Sequence, residues 1–188
     1  MRQRYPAYHA RPVPAFGSEQ AELLIVGLAP GLHGANASGR PFTGDYAGIL
    51  LYETLHRFGF ADRPHSQHAA DGLVLLNCRI TNAVKCVPPQ NKPLPLEVKT
   101  CNAFLTDELG RVPARVILAL GRIAHDAVLK ALGLPGKAFS FGHGVEHALP
   151  DNRILLDSYH CSRYNTQTRR LTPEMFQRVF ARARALIE

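Results

Sequence analysis

Apolar residues along the chain alternate between short continuous runs and helical spacing. The runs at 22–28, 73–76 (continuing through 80–84), 114–121 and 154–156 read as four strands. The first is apolar on both faces, as a strand covered by helices is. Ile49, Leu50, Leu51, Leu55 and Phe58 then recur at helical spacing, from near Tyr46 to Gly59. A second helix is predicted from Pro95 to about Gly110, with Val98, Cys101, Phe104, Leu105 and Leu109 on its inner face. A third covers about 123–132. The last is capped by Thr172, carries Pro173 in its first turn and runs to about Leu186. Strand–helix alternation repeated four times predicts an α/β fold: a three-layer α/β/α sandwich around a central, largely parallel four-stranded sheet. With 188 residues and no long linker, residues 1–188 read as a single domain. Residues 1–20 are expected to be irregular, because Arg11-Pro12-Val13-Pro14 cannot be helix. Residues 61–72 and 133–150 read as irregular connections, with Gly, Pro and His scattered through them.

Composition narrows the setting. At 46% hydrophobic and 20% charged, the chain is ordinary globular protein rather than a disordered one. No apolar run approaches the roughly 18 residues of a spanning helix. The first residues carry basic side chains but no apolar signal core, so a cytoplasmic protein without a membrane partner is expected. The formal net charge of +7, with arginine far outnumbering lysine, favours a polyanionic partner. Cysteines stand at 78, 86, 101 and 161, and a reducing compartment argues against disulfides between them. Cys86 and Cys101 do not form a CxxC pair. The histidines, His56, His65, His68 and His125 among them, show no metal-ligand spacing, and Gly142 and Gly144 argue against a helix that would pair His143 with His147.

Three polar segments follow three of the strands: 27–45, 82–93 and 157–168. A parallel sheet brings such loops to one edge, where open α/β sheets bind ligands. The first runs from Gly27-Leu28-Ala29-Pro30-Gly31 to Gly44-Asp45. It is neither GxGxxG nor a P-loop, and reads equally as a tight crossover turn or as backbone that approaches a ligand closely. Asp45 suits a helix N-cap and also a catalytic carboxylate. Asn91, in a proline-rich turn, is either a turn former or a binding amide. His160, directly after an apolar strand and followed by Ser162, Arg163 and Asn165, is a satisfied half-buried histidine or part of a site.

Taken together, the stretches GLAPG-x-HG-x-N-x-x-GRPFTGD, ITNAVKC-x-PP-x-NKP and SYH-x-SR-x-NTQT resemble the uracil-DNA glycosylase superfamily, specifically its family 5, or type-b, enzymes. The resemblance runs from about Arg11 to the C-terminus. It implies a monomeric α/β/α enzyme that removes uracil and other deaminated or damaged bases from DNA. Asp45 matches the carboxylate that positions or activates water. No Asp or Asn directly follows Gly27-Leu28-Ala29-Pro30, which agrees with Asp45 taking that role. Phe42 matches a base-stacking position, and Asn91 and Asn165 match base-pocket positions. His160 matches the motif histidine near the base carbonyl. Gly27, Ala29 and Gly31 belong to the substrate-binding loop, and Ser162 and Arg163 to the loop that enters the DNA groove. The resemblance also implies a 4Fe-4S cluster on four cysteines. Cys86 and Cys101 match the later two and would ligate the cluster only together with an upstream C-x-x-C pair, which this sequence lacks: either the chain starts further upstream or this member has lost the cluster. Cys161 stands where a proline is usual. A second expectation, consistent with these departures, is a glycosylase-fold protein that binds DNA without excising a base.

Overall fold

A computed structural model describes residues 3–188 of the chain. The elements, in order, are β1 (Phe16–Gly17), β2 (Leu23–Gly27), α1 (Ala35–Ser38), α2 (Tyr46–Arg57), β3 (Cys78–Asn82), α3 (Pro95–Arg111), β4 (Val116–Leu120), α4 (Arg122–Ala131), β5 (Glu146–Ala148), β6 (Ile154–Ser158), α5 (Arg163–Gln167) and α6 (Pro173–Ile187). The sheet order is β1-β3-β2-β4-β6-β5. The four inner strands are parallel, as expected from their apolar runs; β1 and β5 add short antiparallel edges. The sheet therefore has six strands rather than four. Both extra strands lie in segments expected to be irregular, and both are too short to carry a two-residue alternation.

Alternate residues of the buried strands face opposite layers. Leu23, Ile25, Leu118 and Leu156 pack with Leu51 and Leu55 of α2 and Phe176 and Phe180 of α6. Leu24, Val26, Ile117 and Leu155 pack with Leu105 of α3 and Val128 of α4. This gives the predicted three layers, each inner strand being buried on both faces. Thr172 caps α6 by accepting a hydrogen bond from the Met175 N–H at 3.2 Å, and Pro173 occupies its first turn.

One strand assignment needs correction. Residues 73–76 are not part of the second strand; they pair with residues 60–62 around an isolated bridge, Ala61 to Leu75, while Leu73 and Leu75 pack into the core. The strand begins at Cys78, after Asn77 turns the backbone to φ +50°. The Asn77 side chain accepts from the Glu22 N–H and donates to Glu22 Oε2, both at 2.8 Å. That pair docks the start of β3 beside β2 and sets the parallel register.

The N-terminal segment, expected to be irregular, runs without long elements over the site loop. Met1 and Arg2 lie outside the described residues. The His9 and Ala10 N–H groups donate to the carbonyls of Ala37 and Asn36, and the Val13 N–H to that of Lys85. No helix among the described residues is long and apolar enough to cross a membrane.

Candidate active site

Parallel pairing places Gly27 opposite Asn82 and Leu120 opposite Ser158. The loops that leave these strand ends converge, as expected, on one edge. Between them lies an open cavity of about 570 Å³, lined by Leu28 to Gly34, Gly44, Asp45, Asn91, His160 and Ser162. It thus brings together Ala29, Gly31, Asp45, Asn91, His160 and Ser162 from three distant stretches of sequence. Gly27 and Phe42 lie behind this lining, Arg163 lies over Tyr46 beside Asp45, and Asn165 borders a second cavity on the other side of His160.

Asp45 has two uses in the geometry. Its Oδ1 accepts the Gly48 N–H at 3.0 Å and caps α2. Its Oδ2 lies on the side of Gly31 and Gly34. A Cβ built on Gly34 would stand 2.6 Å from Oδ2, and one on Gly31 would stand 3.6 Å away. Gly34 is therefore what lets the carboxylate sit where it does, whereas Gly31 leaves ordinary clearance. Burial raises the Asp45 carboxyl above its usual value, and the N–H groups of Gly48 and Ala47 draw it partly back. No cation pairs with it among the described residues.

Phe42 reaches its place through a left-handed backbone, φ +53°. That conformation costs about 1 kcal/mol or more for a bulky residue and persists only where neighbours enforce it. Three features do so here. A Cβ on Gly48 would collide with the Phe42 carbonyl, so only glycine fits beneath it. The Tyr52 hydroxyl donates to the Pro41 carbonyl at 2.9 Å. Thr43 Oγ1 and Ser66 Oγ share a hydrogen bond at 2.6 Å. The Phe42 ring is only 6% exposed and lies against His160, centroids 5.9 Å apart and planes 29° off parallel. It forms a wall beside the histidine rather than an open shelf. Gly27 makes room for that ring: a Cβ there would stand 2.6 Å from Phe42 Cζ.

His160 is held by its backbone. Asn165 Nδ2 donates to the His160 carbonyl at 2.8 Å, and Ser162 caps α5 by accepting the Asn165 N–H at 3.3 Å. Its imidazole makes no hydrogen bond to the described residues, and burial pushes it down to about 4. The ring is neutral at physiological pH and retains an N–H to donate. Asn165, predicted as a pocket residue, spends its amide N–H on this positioning and borders a second cavity of about 560 Å³ with Gly121, Arg122, Phe141, Tyr159, His160 and Arg170.

Arg40, within the first loop, is buried, paired to Asp71 at 2.7 Å, bonded to Ser66 Oγ and the Ala69 carbonyl, and set over the Phe16 ring. It fastens residues 66–71 to the loop. Asn82 was passed over. It ends β3, is 4% exposed, and its Oδ1 lies close to Gly27 beside the Phe42 ring. Its amide has no partner among the described residues, which for a buried amide calls for an explanation. Asn91, by contrast, is exposed at the rim, on a 3₁₀ turn with left-handed backbone. The overlooked signal was position: Asn82 is the last residue of its strand, directly opposite the glycine that opens the first loop.

Arg163 lies over the Tyr46 ring, Arg122 over Phe141 and Arg170 over Tyr159. None of the three has a carboxylate partner among the described residues. They give the site face a positive rim.

The cysteines do not complete a cluster. Cys78 and Cys161 are buried in the layer with α2 and α6, their thiols pushed far up by burial. Cys86 and Cys101 lie on the other side, near enough that Cys101, after burial, helps raise the Cys86 thiol. Two thiolates meet where a 4Fe-4S cluster needs four ligands, so among the described residues the donor set does not fit one. Cys161 fills core space after His160.

The sequence family described as the Uracil DNA glycosylase superfamily matches residues 14–184. The chain is 51% identical over 180 residues to the Type-5 uracil-DNA glycosylase of Thermus thermophilus, covering 95% of this chain and 82% of that protein. It is 46% identical over 182 residues to the Type-5 uracil-DNA glycosylase of Mycobacterium bovis, covering 95% and 68% respectively. A Type-4 uracil-DNA glycosylase of Archaeoglobus fulgidus is 37% identical over 123 residues, 65% of this chain and 54% of that one.

Proposed function

The chain belongs to the uracil-DNA glycosylase superfamily, and from that premise we propose that it hydrolyses the bond between uracil and deoxyribose in DNA and leaves an abasic site. Other deaminated bases belong to the same substrate class. The observation that carries the reading is the pairing of a desolvated carboxylate, Asp45, with a neutral imidazole, His160, on one cavity at the carboxyl edge of the sheet.

A base within a duplex is out of reach, so the target nucleotide leaves the stack at a cost of a few kcal/mol. The +7 charge and the unpaired Arg122, Arg163 and Arg170 hold the flanking phosphates. Tyr164 is 71% exposed on α5, next to Arg163. It fills the gap that the departing base leaves.

Behind the cavity lining, beside Phe42, the Asn82 amide is the donor and acceptor nearest for the edge of a base that enters past Leu28, and Asn91 closes the rim. As the glycosidic bond lengthens, negative charge collects on the uracil oxygens and positive charge on the sugar. His160 donates its N–H to the oxygen. The bond strengthens as charge develops, which lowers the barrier without transferring a proton. Uracil leaves as an anion, so no general acid is needed. Asp45 orients the attacking water, accepts its proton and offsets the charge of the sugar. Its desolvation makes it a stronger base than a free carboxylate. Gly34 lets the carboxylate sit against the loop, with Oδ2 turned to the side of Gly31. The protein acts as a monomer on chromosomal DNA in the cytoplasm, and no step runs through an iron–sulfur cluster.

The test is incubation with duplexes carrying uracil, hypoxanthine or hydroxymethyluracil, then alkaline cleavage. Strand scission at uracil is expected. Retarded mobility of the DNA without scission at any of the three bases would make the protein a DNA-binding module instead.

A further inference from the structure

A second polar cluster lies on the opposite face of β6 from the α2 and α6 layer. Asp157, next to last in β6, is fully buried and faces α4, on the same side as Leu155. His125 of α4 and His147 of β5 reach the same point. His125 Nδ1 is 2.8 Å from Asp157 Oδ1, and His147 Nε2 is 3.5 Å from Asp157 Oδ2. All three ligand atoms lie within 4.8 Å of one another.

The hydrogen bonds around the cluster leave it short of a cation. His125 Nε2 is 3.1 Å from the Phe139 carbonyl, which only accepts, so that nitrogen carries the hydrogen. Nδ1, 2.8 Å from Asp157 Oδ1, therefore meets the carboxylate either through a second ring hydrogen or, once that hydrogen is displaced, through a cation between them. A histidine that ligates a metal typically holds its other N–H on a carbonyl in this way. His147 Nε2 is buried and has no hydrogen-bond partner among the described residues. Two imidazole nitrogens and a carboxylate oxygen thus face one point. The two nitrogens stand 2.8 and 3.5 Å from the two oxygens of one carboxylate, and one ligand atom from each residue lies within 4.8 Å of the others, close enough for bonds of about 2.0–2.1 Å to a shared ion after small side-chain shifts.

We propose that His125, His147 and Asp157 form a binding site for a divalent metal of the zinc class. The N₂O donor set suits zinc and its neighbours, and excludes the all-oxygen preference of calcium and magnesium. No fourth His, Cys, Asp or Glu among the described residues joins the three, so water completes the tetrahedron. The site is structural. The segment from Phe139 to His147 wraps it: the Gly142 N–H donates to Asp157 Oδ2, and the Gly144 N–H to the Asp157 carbonyl. The same segment carries His143, whose Nδ1 accepts the Tyr159 N–H at 3.2 Å, immediately before His160. The metal ties the irregular connection to β6 and so steadies the wall of the second cavity.

The test uses untagged full-length protein carrying Cys86→Ser and Cys101→Ser, which removes the competing thiolates. After chelator treatment it is titrated with zinc against a chromophoric chelator. One equivalent taken up at micromolar zinc, with a higher melting temperature than in EDTA, is the expected result. Cobalt in place of zinc should give the visible absorption of a tetrahedral site. His147 is on the edge strand and its side chain is 12% exposed, so His147→Ala and His147→Gln disturb the fold least. Each should weaken uptake at least tenfold and abolish the rise in melting temperature. No uptake by the parent protein, or uptake that both His147 variants leave unchanged, would overturn the proposal and leave the cluster as a proton-balanced pair. Base excision is not part of the readout, so this result stands apart from the proposed activity.

Discussion

Gly34→Ala probes the site without replacing a reacting group. Its Cβ would stand 2.6 Å from Asp45 Oδ2, 2.7 Å from its Cβ and 2.9 Å from its Cγ. Ordinary contact begins near 3.5 Å, so the carboxylate must retreat by about 1 Å. It cannot do so freely, because Oδ1 is bound to the Gly48 N–H at 3.0 Å. Either that cap breaks, at about 1 kcal/mol, or the loop carries the carboxylate away from the cavity. A cap loss lowers the melting temperature of a domain this size by about 2–4 °C. A displacement of about 1 Å at a reacting group costs on the order of 10²-fold in rate. The assay is single-turnover excision from a uracil-containing duplex, with melting and circular dichroism in parallel. Gly136→Ala is the control, since a Cβ there meets nothing within 4 Å. Wild-type excision by Gly34→Ala, with an unshifted melting curve, would refute the packing of Asp45 against Gly34.

Other consequences follow from the same geometry. His160→Ala should slow the chemical step in single turnover with little change in DNA affinity, and an unchanged step would count against its donating to the leaving base. Burial holds the His160 imidazole down to about 4, against about 6.5 in the unfolded chain. The unfolded chain therefore binds a proton first as pH falls, and the stability present above pH ~6.5 is lost progressively toward ~4; His160→Gln should flatten that slope in urea titrations, and equal slopes would refute the burial. Tyr164→Ala should slow excision from duplex DNA about tenfold, by removing roughly one kcal/mol or more of support for the flipped state, while leaving single-stranded substrate unaffected; equal loss on both would exclude a gap-filling role. Arg40→Ala removes the counter-charge of Asp71, which three backbone N–H groups still hold, and should cost about 1–3 kcal/mol, read as a lower urea midpoint. Burial tends to raise the Asp71 carboxyl, but Leu73 N–H, Arg40 and the Gln67 and His68 N–H groups outweigh it and hold the carboxyl well below the usual range. The ion pair's contribution is then present above pH ~4 and lost as pH falls below it; a loss under about 1 kcal/mol in Arg40→Ala would mean that the pair is not desolvated.

The central fold was legible because buried parallel strands must be apolar throughout and helices must repeat. Those constraints mark 22–28, 114–121 and 154–156 without ambiguity. The run at 73–76 misled because apolarity alone does not distinguish a strand from a segment covering a core. Asn77, which breaks the two, acts through a contact with Glu22 more than fifty residues away. The edge strands and the short helices α1 and α5 are too brief to repeat anything. At the site, Asp45 read as either a cap or a catalytic group, and its two oxygens let it face both ways. Asn82 and the His125–His147–Asp157 cluster carry no local spacing at all. Each owes its position to strand register, which brings residues from separate segments together.

Asp45→Asn tests the account most directly. Asparagine caps helices as well as aspartate does, so α2 keeps its start, and removing a desolvated charge leaves stability equal or higher at neutral pH. Single-turnover excision of uracil, measured with enzyme in excess over a labelled duplex, should fall by at least about 10²-fold, while affinity for an abasic-site duplex stays within about twofold of wild type. Excision at the wild-type rate would remove Asp45 from the chemistry and, with it, the carboxylate–imidazole pairing on which the proposed function rests.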